Sequence, residues 1–228
     1  GVRTVTLYES ADLVAACQNP KYKALILTAP SRRSPEAQAS DPLKVYSDEE
    51  LEAIKAFNAN GGTVILAGWS DHYEYYPDVA SVANMKPEEH MAATQNAVLE
   101  ALGSSLRIGD DATYDDNYNG GQAYRLYFNS YNFDNFLVEG VEVDLENPHD
   151  RLYTEVFSHY GGASVYTVDG TLPETVSPVV FGHSGTYSVD VDKDGLGGAS
   201  AYKYEYAEGD NRLMIMASEP IEGQGLII

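Results

Sequence analysis

Ser47-Asp48-Glu49-Glu50-Leu51, running on through Ile54 and Phe57 to Asn60-Gly61-Gly62-Thr63-Val64-Ile65-Leu66-Ala67, is the stretch that decides the fold. Ser47 and Glu50 stand three residues apart, the spacing of a capping box. Asp48, Glu49 and Glu50 place negative charge in the first turn, where it meets the helix dipole. Leu51, Ile54 and Phe57 share one face of the predicted helix. Asn60-Gly61-Gly62 supplies the left-handed stop. Thr63 to Ala67 follows at once as a short apolar run, the texture of a strand covered on both sides. Upstream, Ala24-Leu25-Ile26-Leu27-Thr28 is a second such run. Strand, loop, helix, turn and strand make a βαβ unit, which implies a right-handed crossover and parallel pairing. The expected fold class is α/β: a Rossmann/flavodoxin-like parallel sheet flanked by helices.

Working outward, Thr4 to Leu7 alternates weakly and reads as a first strand. Ser10 can cap a helix from Ala11 to about Gln18, ended by Asn19-Pro20. Cys17 lies in the apolar part of that helix and reads as a core thiol. A further helix is expected from about Pro87 to Leu102, stopped by Gly103. Residues 105–228 turn rich in Tyr, Asp, Asn and Gly, with strand-like runs at Ala163–Val168, Pro178–Phe181, Ala201–Tyr206 and Leu213–Met216. The expected organisation is one domain over 1–228. Its βαβ core spans 1–104, and a β-rich elaboration over 105–228 returns to the core sheet near Leu213. Gly225-Leu226-Ile227-Ile228 reads as the opening of a strand, so the chain is expected to be a fragment of a larger multidomain protein.

Thirty-five acidic residues against 14 Lys and Arg give a formal net charge of −21. Such a surface repels phosphate backbones and anionic lipid, which argues against nucleic acid and membranes as partners. No apolar run approaches the roughly 18 residues that span a bilayer. A single cysteine forbids an internal disulfide and fits a bacterial cytosol or a bacterial surface equally.

The run from Tyr46-Ser47-Asp48-Glu49-Glu50-Leu51 to Asn60-Gly61-Gly62-Thr63-Val64-Ile65-Leu66 resembles the type 1 glutamine amidotransferase-like superfamily. So does Asn96 to Gly103 followed by Leu106-Arg107-Ile108. The nearer resemblance is to its non-catalytic branch, found in intraflagellar-transport, gliding-motility and bacterial surface proteins, and it covers about residues 1–110. Catalytic members carry a Cys nucleophile on the tight turn after the strand that follows the Gly-Gly stop. Here that strand leads into Gly68-Trp69, and Cys17 lies far upstream. The resemblance therefore implies an inactive, non-catalytic domain of an extracellular or cell-surface bacterial protein, partnered by neighbouring domains of its parent chain.

In open parallel sheets ligands bind outside the carboxyl ends of the strands. That edge should carry Arg32 and Arg33 from one loop and Trp69, Asp71, His72 and Tyr73 from the next. Aromatic faces beside carboxylates and guanidinium forks suit sugar rings, so carbohydrate is the expected ligand. An alternative makes Ser70 a hydrolase nucleophile with His183 or His159 as base. Asp190-Val191-Asp192-Lys193-Asp194-Gly195 matches the opening of a calcium loop. Oxygens one, three and five converge on a hard cation, and the glycine allows the turn. The twelfth position is Ala201 instead of the usual Glu, and a plain Asp-Gly turn between strands reads as well. A third reading is a purely structural, calcium-stabilised module. Asp110-Asp111 and Asp115-Asp116-Asn117 read as a solvated acidic loop, with a weaker cation site as the alternative, and His90 reads as a structural histidine.

Overall fold

The computed structural model describes residues 2–28, 45–74, 86–143, 155–195 and 202–228. Three helices are present among them: α1 (Ser10–Cys17), α2 (Asp48–Ala59) and α3 (Met91–Ala101). The early strands are β1 (Ala24–Thr28), β2 (Thr63–Ala67), β3 (Leu106–Ile108), β4 (Ala112–Tyr114), β5 (Arg125–Phe128), β6 (Ser130–Tyr131) and β7 (Phe157–Tyr160). The later ones are β8 (Val165–Thr167), β9 (Ser177–Phe181), β10 (Tyr187–Val189), β11 (Tyr204–Ala207), β12 (Asp210–Arg212), β13 (Met214–Pro220) and β14 (Leu226–Ile227). No helix among the described residues is long and apolar enough to cross a membrane.

The βαβ unit forms as its residues dictate. The Ser47 hydroxyl accepts from the Glu50 amide at 3.3 Å, and Glu50 Oε2 accepts from the Ser47 amide at 2.8 Å. Gly61 adopts φ +85°, which closes the helix. A Cβ at Gly62 would lie 2.3 Å from the Phe57 ring, so the turn packs against its own helix only without a side chain there. β1 and β2 then pair in parallel from Ala24–Thr63 to Thr28–Ala67.

Beyond that unit the sheet is mixed, where the βαβ pattern alone predicts parallel pairing. Its order is β1-β2-β14-β13-β8-β3, with β9 also on β13 and β6 on β9. β14 joins β2 in parallel, through Ile227 and Val64, and apart from this pair and β1–β2 the pairings in the sheet are antiparallel. The helices pack side by side, α2 touching both α1 and α3. Leu13, Ile54, Phe57, Val98 and Leu99 from these helices meet Val64, Met214, Ala217 and Ile227 in one core. Leu213 and Ile215 point instead into a second core with Leu126, Phe128 and Val180. Leu213, Met214 and Ile215 alternate between the two cores, and the register shifts about Met216 then bring Ala217 back to the face of Met214.

Two local expectations change. Thr4–Leu7 forms no strand. Val2 and Val5 are 94% and 59% exposed, and among the described residues no strand pairs with this segment. The long helix from Pro87 is broken: a 3-10 turn covers Pro87–Glu89, His90 is extended at ψ 145°, and α3 begins at Met91.

Candidate metal centre

Four chain segments converge near the carboxyl end of β2. The first is the loop after β2, where Ser70 leads into a 3-10 turn over Asp71–Tyr73 with Glu74 as its cap. Backbone bonds from Ser70 N to the Gly161 carbonyl (3.0 Å) and from Asp71 N to the Asp111 carbonyl (3.4 Å) hold it down. The second is His90, the residue before α3. The third is Asp110, which follows β3 after Gly109. A side chain at Gly109 would strike Ser164 Oγ at 2.6 Å. The fourth is Asp190–Asp194, which leaves β10.

The Asp190 loop folds around its own carboxylates. Asp190 accepts from the amides of Lys193 (2.7 Å) and Gly195 (3.1 Å), and Asp192 accepts from Asp194 N (3.1 Å). Gly195, the sixth position of the motif, takes φ +83°, as such a loop needs. Asp71 reaches across from the β2 loop, and its Oδ2 accepts from Val191 N (2.7 Å) and Asp192 N (3.4 Å). Glu74 accepts from the Met91 amide, capping α3, and its Oε2 accepts from His90 Nδ1 at 2.7 Å. The same nitrogen lies 3.3 Å from Asp194 and 3.7 Å from Asp110.

Three groups of potential ligand atoms, each within 4.8 Å of one another, emerge among the described residues. They are Asp71–Asp190–Asp192, His90–Asp192–Asp194 and Glu74–His90–Asp110. Asp71 is 1% exposed, yet its Oδ1 has no hydrogen-bond partner among the described residues. The buried Oδ1 of Asp110 and Oδ2 of Asp192 are orphaned in the same way. Electrostatics agree with the geometry. Burial pushes Asp71 up to about 7. Burial and then the Glu74 charge push Asp110 up to about 8, and burial raises Asp192 to about 6. The bond to Glu74 lifts His90 to about 9 against the effect of its own burial. Carboxylates are crowded here with too little positive charge to balance them, and the cluster can hold a metal ion.

Of the residues expected at the sheet edge, Arg32 and Arg33 lie outside the described residues. Trp69 is 37% exposed and sets its edge on the buried Tyr73, ring centres 4.6 Å apart. His72 is half-buried against Tyr73. Asp71 faces inward to the carboxylates. Asp190 and Asp192 share a group with Asp71, and Asp192 and Asp194 share another with His90, so the three loop carboxylates are divided between two groups; Ala201 lies outside the described residues. Ser70 is 1% exposed, and its hydroxyl meets no hydrogen-bond partner among the described residues. His159 Nε2 is 2.8 Å from Thr113 Oγ1, and His183 Nε2 is 3.1 Å from the Tyr127 carbonyl. The structure therefore does not bring either base to Ser70.

The acidic loop after β3 is not solvated as expected. Asp111 is buried and accepts from Ser164 N (2.8 Å) and Ser164 Oγ (2.6 Å). Asp115 is buried and accepts from Asn117 N, Tyr118 N and Thr186 Oγ1. Both are structural pins, while Asp110 belongs to the centre. Glu74 and His90 were not legible as members. The one available signal was the spacing of Asp71 and Glu74, since residues three apart in a 3-10 turn share a face.

No family model matches the chain, and no curated protein matches it. No comparison shows the amidotransferase-like superfamily itself. Among solved structures, the chain is similar to the mmIFT52 N-terminal domain at 12% identity and a TM-score of 0.47, over 96% of this chain and 68% of that one.

Proposed function

We propose that the chain is a non-catalytic binding and scaffolding domain of a bacterial cell-surface protein, organised around a calcium site and presenting Trp69 to carbohydrate. The observation that carries this reading is the orphaned, buried Oδ1 of Asp71 beside Asp190 and Asp192. Calcium takes six to eight oxygens at about 2.3–2.6 Å, and an Asp-x-Asp-x-Asp-Gly loop with a carboxylate reaching in from another segment offers that chemistry. The exposed Trp69 stands two residues before Asp71, so a cation that fixes Asp71 also fixes the turn displaying the indole. The parallel β1–α2–β2 unit supports an inactive amidotransferase-like, Rossmann-type origin for this half. The strong negative charge supports a life in solution away from anionic polymers and lipid.

A thermal melt of the full chain with chelator and with added calcium tests the cation. Calcium at about a hundred times its Kd adds ~2.7 kcal/mol, which for a domain of this length is a rise of ~5–10 °C in Tm. Asp71→Asn should remove most of that rise. A midpoint indifferent to calcium and chelator would sink the calcium reading. Glycan-array binding that disappears in Trp69→Ala is the expected result for the ligand. If calcium stabilises the chain and no glycan binds, the domain is a structural module only.

A further inference from the structure

The three ligand groups are not alike. Asp71, Asp190 and Asp192 present oxygen alone, the donor set of a hard cation. The other two groups both include His90, whose imidazole suits zinc, copper, iron or nickel and not calcium. Asp192 belongs to the all-oxygen group and to one of the His90 groups, so the two kinds of pocket touch through a shared carboxylate. We infer that this is a dinuclear centre: the all-oxygen pocket takes calcium, the His90 pocket takes a first-row transition-metal ion, and Asp192 is common to both. This rests on the cation reading above and names the chemistry of its second half.

Three observations carry it. The first is charge. Six carboxylates enter the three groups, against a single imidazole. One divalent ion answers two of those charges, whereas two ions answer four. The second is the placing of the orphaned acceptors. Asp71, 1% exposed and with its Oδ1 unpartnered among the described residues, belongs to the oxygen group, and Asp110, with its Oδ1 likewise unpartnered, belongs to a His90 group. Asp192, between the pockets, has Oδ2 without a hydrogen-bond partner among the described residues. A single ion in either pocket leaves the acceptor of the other unanswered, and a buried unanswered carboxylate oxygen is costly.

The third observation is distance. His90 Nδ1 lies 2.7 Å from Glu74, 3.3 Å from Asp194 and 3.7 Å from Asp110. An ion bound at roughly 2.1 Å holds neighbouring ligand atoms roughly 3.0–3.4 Å apart. The nitrogen and its three oxygens bracket that separation, so small side-chain movements complete the shell. His90 is 3% exposed and Glu74 is fully buried, so these donors are held by the fold. The turn after β2 and the residue before α3 supply them.

The test uses the full chain stripped with chelator, then titrated with calcium and with cobalt(II), followed by calorimetry and visible absorption. The expected result is one equivalent of calcium and, in the calcium-loaded chain, one further equivalent of cobalt with ligand-field bands. His90→Gln should weaken cobalt at least tenfold and leave calcium within about twofold. His90 also precedes α3, so Asp110→Asn, away from the helix start, repeats the test without touching that cap. Asp190→Asn should do the reverse of His90→Gln, and Asp192→Asn should weaken both metals. If cobalt only displaces calcium, or binds His90→Gln and Asp110→Asn as tightly as wild type, the centre is mononuclear and the inference falls while the calcium reading stands. If neither metal binds the wild-type chain, both readings fall.

Discussion

Asp71 divides its labour between its two oxygens. Oδ2 ties down the Asp190 loop through two backbone amides, and Oδ1 has no hydrogen-bond partner among the described residues. A carboxylate position after a buried parallel strand was legible because such edges collect ligands. Its inward direction was not, since the partners come from residues more than a hundred positions away. His159 shows the opposite electrostatic case. Burial pushes its pKa down to about 4, while an unfolded imidazole titrates near 6.5. Between those values the unfolded chain binds a proton that the fold refuses. This residue's contribution to stability therefore falls as pH falls from about 6.5 towards 4, by at most ~1.4 kcal/mol per pH unit. His159→Gln keeps a polar group near Thr113 and removes the titration. Urea unfolding in chelator should show wild type losing ground to the variant as pH drops from 7 to 4.5. A constant gap between the two would show that His159 is protonated inside the fold.

Among the elements, α2 was the most legible, because its start and stop are written locally in Ser47, Glu50 and Gly61. Ser47→Ala should cost about 1 kcal/mol of unfolding free energy, the usual worth of such a cap. Gly62→Ala should cost more, about 1–3 kcal/mol, because its methyl group meets the Phe57 ring and the tight turn cannot relax away. Guanidinium denaturation of the two variants orders them, and a neutral Gly62→Ala would show that Phe57 moves freely. The start of α3 was illegible for a converse reason. Its cap is the Glu74 carboxylate, delivered from another segment, and no residue near His90 announces it. The β-rich half was read only in outline. Its strands run two to seven residues, and β13 carries register shifts at Met216, so alternation never lasts long enough to fix partners.

At the scale of the molecule, the mixed sheet depends on one late insertion. β14 lies between β2 and β13, with Ile227 fully buried. Asn58, itself buried at the end of α2, donates to the carbonyls of Gly62 (3.0 Å) and Leu226 (3.4 Å), and its own carbonyl accepts from Gly225 N (2.7 Å). Removing residues 226–228 should leave β2 with an open edge and Asn58 with unmet hydrogen bonds. The expected result is a Tm lowered by 10 °C or more, with raised binding of a hydrophobic dye. An unchanged melt would mean that β1 and β2 are held by the helices alone. The βαβ half was legible because it is local. This closure was not, because its contacts join residues 168 positions apart.

The place of β14 also sets a clock. A ribosome adds roughly 5–20 residues per second, so β2 waits on the order of ten seconds for the strand that completes it. During that interval its apolar residues and unpaired backbone are open to any extended chain that passes. The helix layer can assemble early, but the sheet closes only once β14 has been made. Newborn copies of this protein are therefore most exposed to mispairing with one another in the interval between the making of β2 and that of β14, and whatever shields them must act then.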